Sequence, residues 1–287
     1  MQLITGKTKL LGIIGEPIEH SFSPVMHNAA LAHLHKDYVY LPFPVKLTAL
    51  SQAIKGFAAI DLVGFNVTIP HKQNIIPYLD VVSPEASMIG AVNTVWRSQQ
   101  GWQGTNTDVY GFIFPLQQLE RNWQHITPVV LGNGGAARAV VGGLLSLGCE
   151  KIYIIGRDIN KLEKFKNSWQ TAVKTALLVR HWENLEEIIA NTELLINTTP
   201  VGMYPQIDAS PISANLIKKL QPGAIAYDLI YTPNPTKFLQ AAQRQGAVVI
   251  DGLEMLVQQG AKSLEIWLNQ PAPLEIMRKS LKDHLGL

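Results

Sequence analysis

Apolar and polar positions along the chain fall into alternating strand-like and helix-like stretches. Leu10–Ile14 is a short continuous apolar run that predicts a buried strand, and Tyr38–Phe43 alternates as a second one. Between them Ser23-Pro24 opens a helix predicted to reach about Leu34, with Ser23 as N-cap and Pro24 at the first helical position. Leu47–Phe57 has the spacing of an amphipathic helix, and Leu62–Ile69 returns to strand. Val92–Arg97 and Trp102–Thr105, joined by Ser-Gln-Gln-Gly, predict a hairpin. Alternation of this kind implies a parallel α/β layer.

A new pattern starts near Thr107. Tyr110–Leu119 predicts a helix, Asn122–Thr127 a polar connector, and Pro128–Leu131 a strand that feeds a glycine-rich loop and a helix to about Leu147. Strands are predicted at Lys151–Ile155, Ala176–Val179, Glu193–Ile196, Ala224–Asp228 and Ala247–Ile250, with helices at Lys161–Trp169 and Glu183–Ala190. This is the pattern of a doubly wound, Rossmann-type sheet of about six strands. From Leu253 the tail is helical and suited to packing back on the first domain. The expected class is therefore α/β with two domains. Residues 1–108, completed by helices in 253–287, form the first, and residues 109–252 form the second.

Composition narrows the function. The chain has 287 residues, 47% hydrophobic and 16% charged, which fits one or two compact domains. A net charge of +2 with no basic run gives no reason to expect nucleic acid or an anionic membrane as partner. Cys149 is the only cysteine, so neither an intrachain disulfide nor a CxxC motif exists. The segment Met1–Lys7 is too poor in apolar residues for a signal peptide, and no apolar run reaches the roughly 18 residues of a membrane span, so a cytoplasmic location is the expectation. The eight histidines form no HExxH motif and sit near no carboxylate cluster, so no metal is expected. A homodimer stays open, and the sequence does not decide between monomer and dimer.

The chemistry concentrates in a few segments. Gly132-Asn133-Gly134-Gly135-Ala136-Ala137 follows a predicted strand and opens a predicted helix. Gly132 allows a tight turn, while Gly134 and Gly135 let the backbone approach a pyrophosphate whose charge the helix N-terminus favours. A glycine-rich turn without a ligand is the bland alternative. The second strand of this domain ends in Gly156-Arg157-Asp158, with Lys161 one helical turn on. Arg157 and Lys161 suit the 2′-phosphate of NADP. Asp158 would oppose that phosphate if it pointed inward, and would cap the following helix if it did not. NADP is the expected cofactor. Upstream, Asn66-Val-Thr68-Ile-Pro-His-Lys72 ends in a lysine and Gly104-Thr-Asn-Thr-Asp108 in an aspartate, with Gly90-Ala-Val-Asn93-Thr between them. A lysine and an aspartate beside a dinucleotide loop suggest proton transfer coupled to hydride transfer. A lysine of ordinary basicity is a poor base at neutral pH, so the role needs burial or a neighbouring charge to tune it. Taken singly, Lys72 reads as a solvated charge and Asp108 as a cap for a Val109–Leu119 helix. Asn66 and Asn93 would then satisfy turns, and Tyr231 would be packing.

Together these motifs resemble the shikimate dehydrogenase family over nearly the whole chain. The resemblance rests on Ile14-Gly-Glu-Pro-Ile-Glu-His20-Ser21-Phe-Ser23-Pro24-Val-Met-His27-Asn28, on the lysine, asparagine and aspartate segments, and on Asn197-Thr-Thr-Pro200-Val-Gly202-Met203. It extends to Asp228-Leu-Ile-Tyr231-Thr-Pro233-Asn-Pro-Thr236 and Gly252-Leu-Glu-Met255-Leu-Val-Gln-Gln259-Gly260. The chain departs from the family at Gly156 and Asp158, where Asn-Arg-Thr is common. The resemblance implies an NADP-dependent oxidoreductase that reversibly reduces 3-dehydroshikimate to shikimate in aromatic amino acid (chorismate) biosynthesis. It implies an active site in the interdomain cleft, with Lys72 and Asp108 as catalytic pair. Ser21, Ser23, Thr68, Asn93, Tyr231 and Gln259 would join that pair in holding the substrate, with Asn66 supporting the site from behind. The cofactor would meet Gly132, Asn133, Gly134, Gly135, Ala136, Gly156, Arg157, Asp158, Lys161, Thr199, Leu229 and Gly252. The alternatives are an NAD-using quinate/shikimate dehydrogenase, which Asp158 keeps open, and a nucleotide-sensing regulator without turnover. A regulator would keep the glycine loop and lose the Lys/Asp pair, whereas this chain has both.

Overall fold

A computed structural model describes residues 3–287, which form twelve strands and thirteen α-helices. The chain divides into two compact units, Met1–Gly111 with Leu256–Leu287, and Phe112–Met255.

The first unit contains β1 (Lys9–Gly15), α1 (Ser23–His33), β2 (Tyr38–Pro44), α2 (Leu50–Ala59), β3 (Gly64–Val67) and α3 (His71–Asn74). β4 (Val81–Val82), α4 (Pro84–Ile89), β5 (Thr94–Ser98) and β6 (Gly101–Thr105) follow, and α5 (Asp108–Gln117) begins in this unit and ends in the second. Its six-stranded sheet has the order β2-β1-β3-β5-β6-β4. The apolar run in β1 is buried from Leu11 to Gly15 because strands flank it on both sides, parallel β2 and parallel β3. The sheet is mixed rather than wholly parallel, since β5 runs antiparallel to both β3 and β6. A short hairpin connection forces this reversal, because a parallel neighbour would need a long crossover. One face is covered by α2, whose Leu50, Ile54 and Phe57 recur at helical spacing and are all buried in one cluster with Phe65, Val67 and Val95. Each such side chain contributes about 1.5–3 kcal/mol on burial, so Ile54→Ala would open a cavity directly under the sheet.

The helix expected at Ser23 begins one residue earlier than predicted. Phe22 occupies the cap position and Ser23 is already helical and buried. Its hydroxyl is hydrogen-bonded to Tyr40 rather than to the backbone of its own helix.

The second unit holds β7 (Val129–Leu131), α6 (Gly135–Ser146), β8 (Ile152–Gly156), α7 (Ile159–Asn167), α8 (Thr171–Ala176) and β9 (Leu177–His181). These are followed by α9 (Leu185–Ile189), β10 (Leu194–Asn197), α10 (Ala214–Ile217), β11 (Ile225–Asp228), α11 (Lys237–Arg244) and β12 (Val248–Ile250). The strand order is β12-β11-β10-β7-β8-β9, and every pairing is parallel. In such a sheet the order reverses between β7 and β10, and the crevice beyond their carboxyl ends is where nucleotides bind. Val129, Leu131, Ile155, Leu195 and Ala226 are buried against Leu185, Ile189, Ile217 and Phe238 of the covering helices. Two helices close the chain, α12 (Leu253–Leu268) and α13 (Leu274–Leu285), and α13 packs on α1. No helix among the described residues is long and apolar enough to cross a membrane.

Candidate active site

The first unit gathers its polar side chains at the carboxyl ends of β1 and β3. Lys72 lies on α3, which starts immediately after the turn in which the Thr68 carbonyl accepts the His71 N–H at 2.8 Å. His71 is buried, with Nε2 2.6 Å from the Val45 carbonyl oxygen, and the Lys72 carbonyl accepts the Val92 N–H at 2.8 Å. The backbone under the lysine is thus held on both sides. Lys72 Nζ donates to Asp108 Oδ2 at 2.6 Å, with the two side chains only 16% and 9% exposed. A pair this sheltered is screened far less than a surface ion pair.

Asp108 stands in the first turn of α5, and the sequence left open whether it caps that helix. It does not. Asn106 Oδ1 accepts the backbone N–H groups of Asp108 at 3.0 Å and Val109 at 3.4 Å. That leaves both carboxylate oxygens for side chains: Oδ2 for Lys72 and Oδ1 for Asn93 Nδ2 at 2.9 Å. Asn93 Nδ2 also reaches Thr107 Oγ1 at 2.9 Å and Gln259 Oε1 at 3.2 Å, while its Oδ1 accepts the Thr107 N–H at 2.7 Å. A backbone N–H can only donate, so this last bond fixes which way the Asn93 amide faces. Gln259 is steadied in turn by donating from Nε2 to the Leu256 carbonyl at 2.8 Å.

Behind this cluster lies a second, fully buried polar layer. Asn66 accepts from the Tyr40 hydroxyl at 2.7 Å and donates to the Asn93 carbonyl at 3.1 Å and to Ser263 Oγ at 2.9 Å. Ser263 Oγ sits 2.7 Å from Thr94 Oγ1 and 3.1 Å from Thr107 Oγ1, and it donates to the Gln259 carbonyl at 3.0 Å. The sequence reading did not single out Tyr40, Asn106 or Ser263. Asn106, two residues ahead of an aspartate that opens a helix, carried a readable Asx-turn signal. Ser263 lies four residues after Gln259 and hence on the same helical face. Tyr40 left no signal beyond its place in a strand. His27 stacks on Tyr40 with ring centroids 4.3 Å apart, and burial pushes its imidazole down to about 3, so it stays neutral there.

Lys72, Asp108, Asn93 and Gln259 are therefore in direct hydrogen-bond contact. Ser23 reaches them only through Tyr40 and Asn66. Ser21 is half-buried, and its Oγ accepts the Ser23 N–H at 3.4 Å. Thr68 is half-buried at the end of β3, with its N–H on the Ile14 carbonyl at 2.9 Å. Tyr231 belongs to the second unit, half-buried in the loop after β11. Among the described residues no group of three or more His, Cys, Asp or Glu is arranged to hold a metal.

In the second unit the glycine loop leaves β7 at the point where the strand order reverses. Gly132 has φ +103°, and a Cβ there would stand 2.7 Å from Thr198 Oγ1, so both the turn and the packing demand glycine. No side chain caps α6, and nothing lies within 4 Å of the places a Cβ would take at Gly134 and Gly135. Ala137, in contrast, is buried against the sheet. An open backbone cradle at the N-terminus of a twelve-residue helix fits a dinucleotide pyrophosphate. Asn133 and Ala136 line the same loop, both half-buried.

Gly156 ends β8, and Arg157 is exposed just beyond it, its carbonyl 3.0 Å from His181 Nε2. Asp158 caps α7, Oδ1 accepting the Lys161 N–H at 3.1 Å. Lys161 is 75% exposed with Nζ 4.0 Å from the other oxygen of Asp158. Thr199 gives both its N–H (3.0 Å) and its hydroxyl (2.7 Å) to Asn197 Oδ1. Gly252 lies so close to the Leu229 carbonyl that any side chain there would collide with it. A separate groove of about 310 Å³ opens at the amino ends of β10 and β11 beside Arg121, Thr192 and Glu193. Arg121 donates there to the Gly223 carbonyl at 3.0 Å.

Comparison with known proteins places the chain in a family. Residues 13–95 match the shikimate dehydrogenase substrate-binding domain, residues 116–221 match shikimate/quinate 5-dehydrogenase, and residues 252–282 match the shikimate 5′-dehydrogenase C-terminal domain. The NADP(+) shikimate dehydrogenase of Gloeothece citriformis is 60% identical, with 100% of each chain covered. Shikimate 5-dehydrogenase of Thermus thermophilus, solved with NADP(H) and shikimate, superimposes with a TM-score of 0.82 at 32% identity, covering 96% of this chain and 99% of that one. The Listeria monocytogenes enzyme, solved with shikimate and NAD, gives 0.86 at 35% identity over 98% and 99% of the two chains. The chain belongs to the shikimate dehydrogenase family.

Proposed function

We propose that this protein catalyses the reversible, NADP-dependent reduction of 3-dehydroshikimate to shikimate, a step towards chorismate and the aromatic amino acids. The observation that carries the reading is the 2.6 Å contact between Lys72 and Asp108, sheltered from solvent and braced by Asn93. Substrate binding is assigned to the first unit and cofactor binding to the second.

Reduction of a ketone needs a hydride on carbon and a proton on oxygen. Gly132–Ala136 would hold NADPH, which when bound would supply the hydride. Lys72 supplies the proton: as the carbonyl π pair moves onto oxygen, Nζ–H is transferred to it, and the neutral amine then regains a proton from solvent. In the reverse direction the neutral amine removes the hydroxyl proton. One of the three N–H groups of the ammonium is spent on Asp108, so the others remain for substrate. Asp108 holds the ammonium in place and offsets its charge. Thr68, Asn93 and Gln259 present donors and acceptors to ring hydroxyls, and the hydroxyl of Ser21 is assigned to the carboxylate, whereas that of Ser23 is turned to Tyr40.

Arg157 is the partner of the 2′-phosphate, and Asp158 is spent on the N-terminus of α7, where its charge opposes the phosphate less. Initial rates with shikimate and with quinate, each against NADP⁺ and NAD⁺, test the reading. Shikimate with NADP⁺ is expected to give the highest kcat/KM. A higher value for quinate or for NAD⁺ would transfer the assignment to a quinate/shikimate dehydrogenase, and no turnover with any pair would remove it.

A further inference from the structure

Asp228 ends β11, is fully buried, and plays no part in the chemistry above. Its three hydrogen-bond partners are neutral donors. Asn197 Nδ2 gives to Oδ1 at 2.9 Å, the Ile230 N–H to Oδ1 at 3.2 Å, and the Thr236 hydroxyl to Oδ2 at 2.7 Å. Burial pushes the carboxyl up to about 6, the three bonds oppose that push, and the nearby Asp251 carboxylate adds to it. An apolar side chain of similar volume would fill the space without burying a charge. The residue therefore makes sense for what its bonds organise.

Those bonds run to segments around the dinucleotide cradle. Through Asn197, whose Oδ1 accepts the N–H and hydroxyl of Thr199, the carboxylate fixes the loop after β10. Thr198 in that loop packs against Gly132. Through the Ile230 N–H it fixes the loop after β11, where the Leu229 N–H is held by the Asn197 carbonyl at 3.1 Å and the Leu229 carbonyl rests against Gly252. Through Thr236, which also caps α11 by accepting the Leu239 N–H, it anchors the far end of the same loop.

We propose that Asp228 is a positioning residue for the dinucleotide: without touching it, the carboxylate sets the loops of Thr199 and Leu229 around the glycine turn. This rests on the reading that the second unit binds NADP. The test uses the full chain and measures the Kd of NADP⁺ by direct titration, together with KM for NADP⁺ and for shikimate. Asp228→Ala is expected to weaken NADP⁺ by about tenfold or more, as loss of several bonds to a charged acceptor implies, with KM for shikimate changed less than about twofold. Asp228→Asn keeps an acceptor for Asn197 and Ile230 and turns its amide to Thr236, so it is expected to restore binding to within about threefold. Asn197→Ala cuts the arm to Thr199 alone and is expected to weaken NADP⁺ while sparing shikimate. It carries the test if Asp228→Ala does not fold. Unchanged NADP⁺ binding, equal losses for both ligands, or no rescue by asparagine would overturn the proposal. A parent protein that binds NADP⁺ but does not oxidise shikimate overturns the assigned reaction and leaves this test in force, whereas one that binds no NADP⁺ overturns both.

Discussion

The two units prepare their sites in opposite ways. In the first, the side chains around Lys72 satisfy one another: the ammonium has its carboxylate, the carboxylate has the Asn93 amide, and that amide is oriented by a backbone N–H. In the second, the cradle at Gly134 and Gly135 is left open, and order is imposed from underneath by Asp228 and Asn197. The two buried carboxylates express the difference. Asp108 has a cation 2.6 Å away, while Asp228 has only neutral donors and is pushed up to about 6. The lesson is that a proton-transfer site needs its charges in place beforehand, whereas a phosphate site needs vacant backbone and positive potential that the ligand itself will neutralise.

Breaking the paired side should cost most. Lys72→Ala is expected to lower kcat by about 10²–10⁴-fold, the usual contribution of a positioned acid–base group, with KM for shikimate within about tenfold. Near-parental kcat in steady-state assays would show that the proton comes from elsewhere.

The unpaired carboxylate makes a prediction about stability rather than rate. Burial raises the Asp228 carboxyl above the ordinary carboxylate range, so the native state holds its proton more tightly than the unfolded chain does. Its favourable contribution is complete below about pH 4 and is lost as pH rises through about 6. A rise to about 6 corresponds to about 3 kcal/mol at most. Urea unfolding of Asp228→Asn and the parent at pH 4.5 and 7.5 should therefore show the variant gaining relative stability at the higher pH. A pH-independent difference would mean that the carboxylate is not penalised by burial.

On the open side, Arg157→Ala should raise KM for NADP⁺ by about tenfold or more while hardly altering KM for NAD⁺, because charge-assisted bonds to the 2′-phosphate are the ones removed. Equal losses would make Arg157 a structural residue. The smallest effect is expected at Asn106. Asn106→Ala removes the acceptor for two N–H groups at the start of α5 and should cost about 1 kcal/mol in thermal or urea unfolding. If stability does not fall, Asp108 is held by its side-chain partners alone.

Much of this arrangement is legible in the amino-acid sequence. Leu10–Ile14 announces β1, and the glycine loop between a short apolar strand and a helix announces the switch point. The Lys72 and Asp108 segments announce a site before any contact is known. What escapes is of two kinds. Short elements whose packing outweighs their pattern leave too little to read, as with β4 at two residues and α10 at four. Hydrogen-bond allegiance is the other. Ser23 looks like a cap and turns to Tyr40, while Asp158 reads as either a cap or an inward charge opposing the phosphate and is a cap in the folded chain. Both outcomes depend on which partner is nearer in space. That is also why Asp228, an ordinary strand-ending aspartate in sequence, emerges as a hub only in three dimensions.

The first unit is sewn from both ends of the chain, and this matters for how the protein comes into being. Gln259, Ser263 and Trp267 of α12 supply bonds to Asn93, Asn66 and the Val95 carbonyl, respectively. These residues follow every strand of the second sheet along the chain. During synthesis the second sheet is therefore complete while Asn93, Asn66 and the Val95 carbonyl still lack their partners on α12, so the order around Lys72 is among the later features to form.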